Sequence, residues 1–159
     1  MKYTIREAAQ ADMPAVMALI KELAAFERQP DAVEVQEEDL IEYGFGPGKR
    51  FHCFVGESAG EIVGMALVYP RFSTWKGPVI HLEDLIVTER ARGTGLGTAL
   101  LETVIRYSHA QGVKRVCWEV LDWNEAAIGF YESKGARVLR DWDLVHLDAA
   151  GIQHIISNL

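Results

Sequence analysis

The chain has 159 residues, of which 49% are apolar and 25% charged, a composition typical of one globular domain with a full hydrophobic core. Its 23 acidic and 16 basic residues give a net charge of -7, which argues against a nucleic-acid surface. The sequence has neither a bilayer-spanning apolar run nor the apolar segment of a signal peptide, so we expect a single cytoplasmic domain over residues 1–159 without a membrane partner.

The first half of the chain predicts three strands and two helices. Apolar residues recur at helical spacing from Met13 to Phe26, with Asp12 as the N-cap, Pro14 in the first turn and Pro30 as the stop. A second helix is predicted over 37–44. Strands are predicted over 3–7, 51–57 and 61–70, and the last two form an antiparallel hairpin.

The second half predicts strands alternating with helices. A strand over 78–87 leads into the glycine-rich segment 90–100, and a helix then runs from Leu96 to a stop at Gly112. A strand over 114–121, a helix from Asn124 to Gly135 and strand sequence over 137–148 follow. The predicted order, βααβββαβαβ, is that of a mixed α/β domain.

The glycine-rich segment "RARGTGLGTAL" places Gly93, Gly95 and Gly97 at a strand-to-helix turn. The first N–H groups of a helix lack intrahelical partners and lie at the positive end of its dipole, so they bind phosphate. Glycine lets an anion reach these groups, and Arg92 or Arg90 could add a charged contact. The alternative is a glycine-rich turn that only packs the helix against the strand.

Three kinds of phosphate site compete for this segment. A P-loop requires a lysine after its last glycine, and Thr98 and Ala99 follow Gly97 instead. A dinucleotide-binding fold requires a third glycine where Thr98 stands, although Glu119 could imitate its distant acid. The third reading is coenzyme A.

Two motifs support this third reading. "LEDLIVTERARGTGLGTALL" resembles the acetyl-CoA-binding motif of the GCN5-related N-acetyltransferases (GNAT), with Arg92, Gly95 and Gly97 as its R-x-x-G-x-G core, and "WNEAAIGFYESKGA" resembles their second motif. "LIKELAAFE", "EYGFG" and "FHCFV" extend the resemblance to the diamine (spermidine/spermine-type) acetyltransferases over nearly the whole chain. The resemblance implies a mostly antiparallel sheet flanked by helices, acetyl-CoA as cosubstrate and a homodimer.

The resemblance also implies how acetyl-CoA is held. Leu85 to Val87 would pair with its pantetheine arm as an added strand would, and Gly93 to Thr98 would hold its pyrophosphate. Asn124 would orient the cosubstrate near Tyr131. The implied set is Leu85, Ile86, Val87, Arg92, Gly93, Thr94, Gly95, Leu96, Gly97, Thr98, Asn124 and Tyr131.

Two residues resemble the catalytic pair of the family. Tyr131 corresponds to the general acid that protonates the departing thiolate, although without the motif it reads as a core aromatic. Glu83 corresponds to the base that acts, through water, on the substrate ammonium. Strand alternation predicts Glu83 and Asp84 on opposite faces, with Leu82 on the face of Asp84.

The resemblance further implies an acidic amine site. Its substrate-binding residues would be Phe26, Glu27, Glu83, Asp84 and Trp75. The polyamine enzyme of the family has an acid where this chain has Ser73, and Arg71 and Lys76 add positive charge to the same loop. Because each ammonium group of a polyamine needs an anionic partner, we expect short diamines or lysine-like amino acids to be preferred over spermidine or spermine.

Cys53 and Cys117 lie in apolar strands and lack metal-ligand spacing, so we expect neither a metal site nor an acyl-carrying thiol. The sequence therefore predicts an acetyl-CoA-dependent N-acetyltransferase that transfers acetyl directly to a small primary amine in a ternary complex. A non-catalytic acyl-CoA-binding module is the alternative, and the presence of Tyr131 and Glu83 argues against it.

Overall fold

The computed structural model describes residues 2–159, which group into two compact units. The first unit ends at Glu119 and contains a sheet with helices, and the second unit spans Val120–Leu159 and is helical. The expectation of one domain over residues 1–159 stays a prediction. Within the described range, no helix is long and apolar enough to cross a membrane.

The first unit is built on a sheet with the strand order β1-β2-β3-β4-β5. Neighbouring strands are antiparallel, except that β5 lies parallel to β4. The strands span Thr4–Glu7 (β1), His52–Ser58 (β2), Glu61–Ser73 (β3), Gly77–Val87 (β4) and Val116–Cys117 (β5). The predicted mixed α/β class with a mostly antiparallel sheet is confirmed.

Helices cover both faces of this sheet. They span Met13–Phe26 (α1), Glu37–Phe45 (α2) and Leu96–Ala110 (α3). The core between the sheet and α1 with α2 includes Met13, Val16, Leu40, Val55, Met65, Leu67 and Ile86. On the other face Gly56 and Gly64 are paired, and a Cβ on Gly56 would lie only 2.6 Å from Leu96 Cδ1. Glycine therefore lets the start of α3 approach the sheet closely.

The ends of α1 differ in part from the prediction. Pro14 occupies the first turn as predicted, but the Asp12 carboxylate does not cap α1. It accepts a hydrogen bond from the Ala9 N–H at 2.7 Å and pairs with Arg6. The helix ends before Pro30, because Arg28 adopts a left-handed conformation with φ of 63°. This stop places Glu27 at the C-terminal end of α1.

Two strand predictions need correction. The strand predicted over 114–121 is reduced to β5, because β4 pairs with it only at two positions. The strand predicted over 137–148 is not formed, since the second unit holds no described strand that could supply hydrogen-bond partners. That unit consists of α4 (Glu125–Ser133), α5 (Ala149–Ser157) and connecting segments, and α5 was not predicted.

Candidate active site

A β-bulge interrupts β4 in the middle of the "HLEDLIV" motif. Along β3, Leu67 is paired with Asp84, and the next residue, Val68, is paired with Leu82. Glu83 therefore has no partner in the register and is the extra residue of the bulge. Leu67 and Val68 are consecutive and face opposite sides of the sheet. Their partners therefore also lie on opposite faces, so the predicted placement of Leu82 beside Asp84 is wrong.

Beyond this bulge, β4 presents an open edge. Thr88 N–H donates to Val63 O at 2.9 Å, so alternation along the antiparallel pair directs the N–H and C=O groups of Ile86 toward β3. The corresponding groups of Leu85 and Val87 point away from β3. Within the first unit, β5 pairs only with the part of β4 that precedes the bulge. This edge can therefore accept an extended ligand as an added strand would.

The bulge also brings two acidic side chains to the same face. Tyr69 and His81 are directly paired, and Glu83 Oε2 lies 3.6 Å from His81 Nε2. Tyr69 lies two residues after Leu67 and packs against the core under α1, and Asp84 is the partner of Leu67. Glu83 and Asp84 therefore share the face covered by α1, and the prediction that they lie on opposite faces is wrong.

Three carboxylates concentrate negative charge on this face. Burial, together with the charges of Glu83 and Glu27, raises the pKa of Asp84 to about 6. Burial also raises the pKa of Glu27, at the end of α1. The first unit thus brings together three of the predicted substrate-binding residues, and their mutual repulsion is relieved by a bound cation.

Three further side chains line the same region and were not predicted as site residues. Tyr69 stacks near the His81 ring at a centroid distance of 5.0 Å, and His81 Nδ1 lies 3.5 Å from Cys117 Sγ. Burial and the neighbouring charge of Glu83 raise the pKa of Tyr69 to about 12. The sequence shows a histidine two residues before Glu83, but it does not show that this histidine contacts Tyr69 and Cys117, because those contacts depend on strand register.

The glycine-rich segment forms an uncapped helix start. Gly93 and Gly95 have φ values of 73° and 87°, a conformation that favours glycine, and α3 begins at the next residue, Leu96. No side chain of the described residues caps this end, so its first N–H groups lack intrahelical partners. A Cβ on Gly97 would meet only Val87 Cγ2 at 3.8 Å. Packing therefore does not require glycine at this third position.

Arg92 is held beside this helix start. Its Nε donates to Val87 O at 3.1 Å, and its guanidinium lies 5.4 Å from the centre of the Phe26 ring. A guanidinium nitrogen also lies 3.9 Å from Glu22 Oε1. Phe26 is thus found against Arg92, at the predicted phosphate end of the site. Arg90 instead pairs with Glu61.

Trp75 lies far along the sheet from the acidic face. It is 80% exposed in the turn of the β3–β4 hairpin, where Ser73 is paired with Gly77. Ser73 lies six positions along β3 from Leu67, which corresponds to roughly 20 Å of strand. The first unit therefore does not bring Trp75 to the carboxylates.

The second unit carries the remaining predicted residues. Asn124 caps α4, and its Oδ1 accepts a hydrogen bond from Ala127 N–H at 3.2 Å. Tyr131 lies on the same helix, and its ring is 5.3 Å from that of Phe130. Burial raises the pKa of the Tyr131 hydroxyl, which keeps it protonated.

Comparison with known proteins identifies this arrangement. Residues 13–136 match the model of the acetyltransferase (GNAT) family. The chain belongs to the GNAT acetyltransferase family. It is an N-acetyltransferase, and its cosubstrate is acetyl-CoA, so the corresponding predictions are confirmed. The relatives described below are named as acetyltransferases or acetyltransferase-like proteins, and they give no support to a non-catalytic acyl-CoA-binding module.

Three similar proteins illustrate the match. The chain is 39% identical to a mouse thialysine N-epsilon-acetyltransferase, with 86% of this chain and 85% of that protein covered. It is 35% identical to the human spermidine/spermine N(1)-acetyltransferase-like protein 1, with 91% of this chain and 22% of that protein covered. A solved V. cholerae integron cassette protein, 21% identical, superposes with a TM-score of 0.80 over 98% of both chains and supports the fold alone.

The first unit has two places whose chemistry suits acetyl-CoA. Gly93 to Thr98 would offer the backbone N–H groups of an uncapped helix to the pyrophosphate, and a Cβ on Gly93 or Gly97 would meet no atom closer than 3.8 Å. The edge at Leu85 and Val87 would offer backbone groups to the amide-bearing pantetheine arm, with Val87 O shared with Arg92 Nε, which lies 3.1 Å away. The open space at Gly97 is the clearer sign, because glycine at a helical position lowers stability and packing does not explain it.

We predict that Gly97→Ala weakens acetyl-CoA binding without weakening the fold. The added methyl group fits beside Val87 and favours the helix by up to about 1 kcal/mol, but it occupies the side from which phosphate would approach. Calorimetry should show a dissociation constant raised by about tenfold or more, while the melting temperature is unchanged or higher. Gly129→Ala, in an equally open position of α4, is the matched control. Unchanged acetyl-CoA affinity in Gly97→Ala would exclude the phosphate-binding role.

Gly95, which the sequence alone suggests as the position to test, does not separate binding from folding. Its φ of 87° lies where other residues are strained, so a bulky substitution would disturb the backbone as well as the ligand. Gly97 has no such constraint.

We predict that Asp84 couples amine binding and stability to pH. Because the pKa of Asp84 is raised from its ordinary value of 3.8 to about 6 in the folded protein, the folded state binds the proton more tightly. Stability therefore falls as the pH rises from about 4 to 6, and the cost is fully present above pH 6. Asp84→Asn should raise the free energy of unfolding at pH 7.5 by up to about 3 kcal/mol, and by little at pH 4.

Protonation of Asp84 stabilises the fold but weakens binding of the amine. Because protonated Asp84 has no charge for an ammonium group, the KM for the amine should rise as the pH falls below 6, and Asp84→Asn should flatten this dependence. Thermal melting and amine titrations at both pH values measure the two effects. Asp31→Asn, at an exposed site after α1, serves as the control. Equal melting shifts for both variants would contradict the assignment.

Proposed function

We propose that this acetyltransferase acetylates the side-chain primary amine of a short, lysine-like amino acid or a short diamine. The observation that carries the proposal is the convergence of Glu27, Glu83 and Asp84, with the raised pKa of Asp84. Partly buried carboxylates that repel one another are stabilised by a cation, and an alkylammonium group supplies one. The mouse relative acts on an N-epsilon amine according to its name, in agreement with this proposal.

Charges next to the amine site favour a lysine-like substrate over a long polyamine. Arg71 and Glu119 both act electrostatically on Tyr69, with opposite signs. Arg71 lies two residues along β3 from Tyr69, toward the hairpin, and therefore on the same face. A positive and a negative charge beside the carboxylates match the carboxylate and ammonium groups of an amino acid. A second ammonium group of a polyamine would be repelled by Arg71.

In the proposed reaction, the three carboxylates and Tyr131 have different roles. Acetyl-CoA supplies an activated acetyl thioester. Asp84 and Glu27 hold the substrate as an ammonium ion, and Glu83 accepts one proton from it, directly or through water, so that the nitrogen has a free electron pair. The new C–N bond replaces the C–S bond, and the Tyr131 hydroxyl donates its proton to the departing thiolate. The second proton that the nitrogen loses as the amide forms restores the Tyr131 hydroxyl. Support for Tyr131 is its place in the second motif and a burial-raised pKa, which keeps the donor form populated.

Acetyl transfer is proposed to be direct. Burial raises the pKa of the Cys53 thiol to about 12, so Cys53 is not a nucleophile at neutral pH. Cys117 lies beside His81 and is only half-buried, which makes it the one thiol whose acetylation must be tested. In a direct transfer, the intact mass of protein quenched after incubation with acetyl-CoA alone is unchanged.

A homodimer is proposed on the basis of the second unit. Its segment between α4 and α5 exposes large apolar side chains, including Trp142 at 68% and Val145 at 85% exposure. An apolar surface of this kind is typical of association sites. A second copy of the chain is the partner that the family resemblance implies. A cytoplasmic location stays a prediction.

We predict that Tyr131→Phe lowers kcat by about 10²- to 10⁴-fold, the usual loss when a general acid is removed. The affinity for acetyl-CoA should change little, since the ring is kept. Single-turnover rates between pH 6 and 9 measure the effect, with Phe130→Leu as the control for packing within α4. Near-wild-type rates across that range would assign thiolate protonation to another donor.

We predict the order of substrates from the charges around Tyr69. At fixed acetyl-CoA, kcat/KM should be higher for thialysine, ornithine, lysine and short diamines than for spermidine and spermine. Arg71→Glu should narrow or reverse this order, because it replaces the charge that repels a second ammonium group. A preference of the wild type for spermine would contradict the proposal, and inactivity with every amine would contradict the proposed substrate class.

A further inference from the structure

His81 is a buried polar residue in the centre of the sheet. It is 5% exposed and stands between the buried apolar residues Ile80 and Leu82 in β4. Directly opposite it are Tyr69 on β3 and Cys117 on β5. An apolar side chain would satisfy packing at this position without the cost of burying two ring nitrogens. The fold alone therefore does not account for a histidine.

Each ring nitrogen of His81 faces one polar group. Nε2 lies 3.6 Å from Glu83 Oε2, and Nδ1 lies 3.5 Å from Cys117 Sγ. The Tyr69 ring, 5.0 Å away, restricts how the imidazole can turn. Contacts that serve catalysis are often slightly long before substrates bind, so the distance to Glu83 is compatible with a hydrogen bond in the working enzyme.

These contacts favour one tautomer of the imidazole. With the hydrogen on Nε2, the ring donates to the Glu83 carboxylate, and Nδ1 can accept from the Cys117 thiol, whose other acceptor is Ile80 O at 3.7 Å. The other neutral tautomer would set the lone pair of Nε2 against a carboxylate oxygen. A thiol that can donate to Nδ1 therefore stabilises the arrangement in which the imidazole holds Glu83.

Two groups on the sheet can fix the Glu83 carboxylate, the imidazole of His81 and the hydroxyl of Tyr69. The Glu83 side chain is 52% exposed and stands on the extra residue of the bulge. The neighbouring carboxylate of Asp84 repels it, since the charge of Glu83 contributes, after burial, to the raised pKa of Asp84. A base that rotates freely meets the substrate ammonium in the correct geometry only part of the time.

We propose that His81 is a positioning residue for Glu83. Its Nε2–H orients the Glu83 carboxylate toward the amine site, and Cys117 sets the tautomer that makes this possible. The inference rests on the proposed role of Glu83 as the base. His81 itself contacts neither substrate nor acetyl-CoA in this account.

The test compares three substitutions that keep different parts of the imidazole. His81→Gln can keep an N–H near the Nε2 position, His81→Asn keeps a polar group only near the Nδ1 position, and His81→Phe keeps the ring without either nitrogen. We expect kcat to fall by about 10- to 100-fold in His81→Phe and His81→Asn, and by less than about threefold in His81→Gln. The KM for acetyl-CoA should be unchanged in all three.

His52 provides the matched control. It is a half-buried histidine on β2 whose ring lies 5.2 Å from that of Tyr107, which imitates the stacking of His81 on Tyr69. His52→Phe should leave kcat within about twofold of the wild type. Melting temperatures of all variants separate a general loss of folding from the loss of an oriented base.

If His81→Phe does not fold, the comparison between His81→Gln and His81→Asn still decides the question. Equal activity of these two variants would overturn the proposal.

A double-mutant cycle separates this inference from the proposed function. Glu83→Gln alone should lower kcat by about 10²-fold or more. In the Glu83→Gln background, His81→Phe should have little further effect, because the residue through which it acts is already lost. Wild-type activity of Glu83→Gln would refute the role of Glu83. Additive losses in the double variant, with Glu83→Gln impaired, would refute the positioning role of His81 alone.

Discussion

One extra residue in β4 sets the geometry of the acidic face and of the open edge. In a regular strand without a bulge, every second residue points its N–H group toward the same neighbouring strand, so Ile80 and Thr88 would point theirs to the same side. Instead, Ile80 N–H donates to Arg115 O on the β5 side, whereas Thr88 N–H donates to Val63 O on the β3 side. The bulge thus reverses the hydrogen-bonding direction within one strand. It turns two consecutive acids toward α1 and leaves the backbone of Leu85 and Val87 without a neighbouring strand in the first unit.

The acidic face has a cost that a substrate can relieve. Asp84 is placed among core residues and near two other carboxylates, and its raised pKa measures the cost of ionising it there. An apolar residue at this position would make the free protein more stable at neutral pH. The retained charge is explained if binding an ammonium group offsets the cost. Gly97 is a second residue that lowers the stability of the free protein, because alanine would stabilise the helix more than glycine does. Its presence is explained if it allows acetyl-CoA to bind.

Much of the fold could be predicted from the sequence, because it depends on local patterns. The bounds of α1 follow directly from apolar periodicity and Pro14, and the β2–β3 hairpin from two strand patterns around a short turn. The start of α3 follows from the glycine segment. What could not be predicted depends on partners distant in the chain. The strand expected over 137–148 has the right composition but no partner strand in its unit, and the length of β5 depends on where β4 diverges from it.

The candidate site, like the fold, could be predicted from the sequence only in part. Glu27, Glu83 and Asp84 were predicted from the family resemblance, and the first unit brings them together. Strict alternation then gave the wrong face for Glu83, since a bulge leaves no clear mark in a single sequence. The contacts of His81 with Tyr69 and Cys117 were equally hidden, because they arise only when three strands are placed in register. Trp75 could not be judged without the length of the hairpin.

If the bulge frees the edge of β4 for acetyl-CoA, the backbone amides of that edge must respond to the ligand, and amide hydrogen exchange at single-residue resolution is the most direct test. In the free protein, the amide of Ile86, which faces β3, should exchange slowly, and the amide of Leu85 should exchange quickly. Saturating acetyl-CoA should slow exchange at Leu85 and leave Ile86 almost unchanged. Protection of Leu85 in the free protein, or exchange at Leu85 that acetyl-CoA does not slow, would contradict the account.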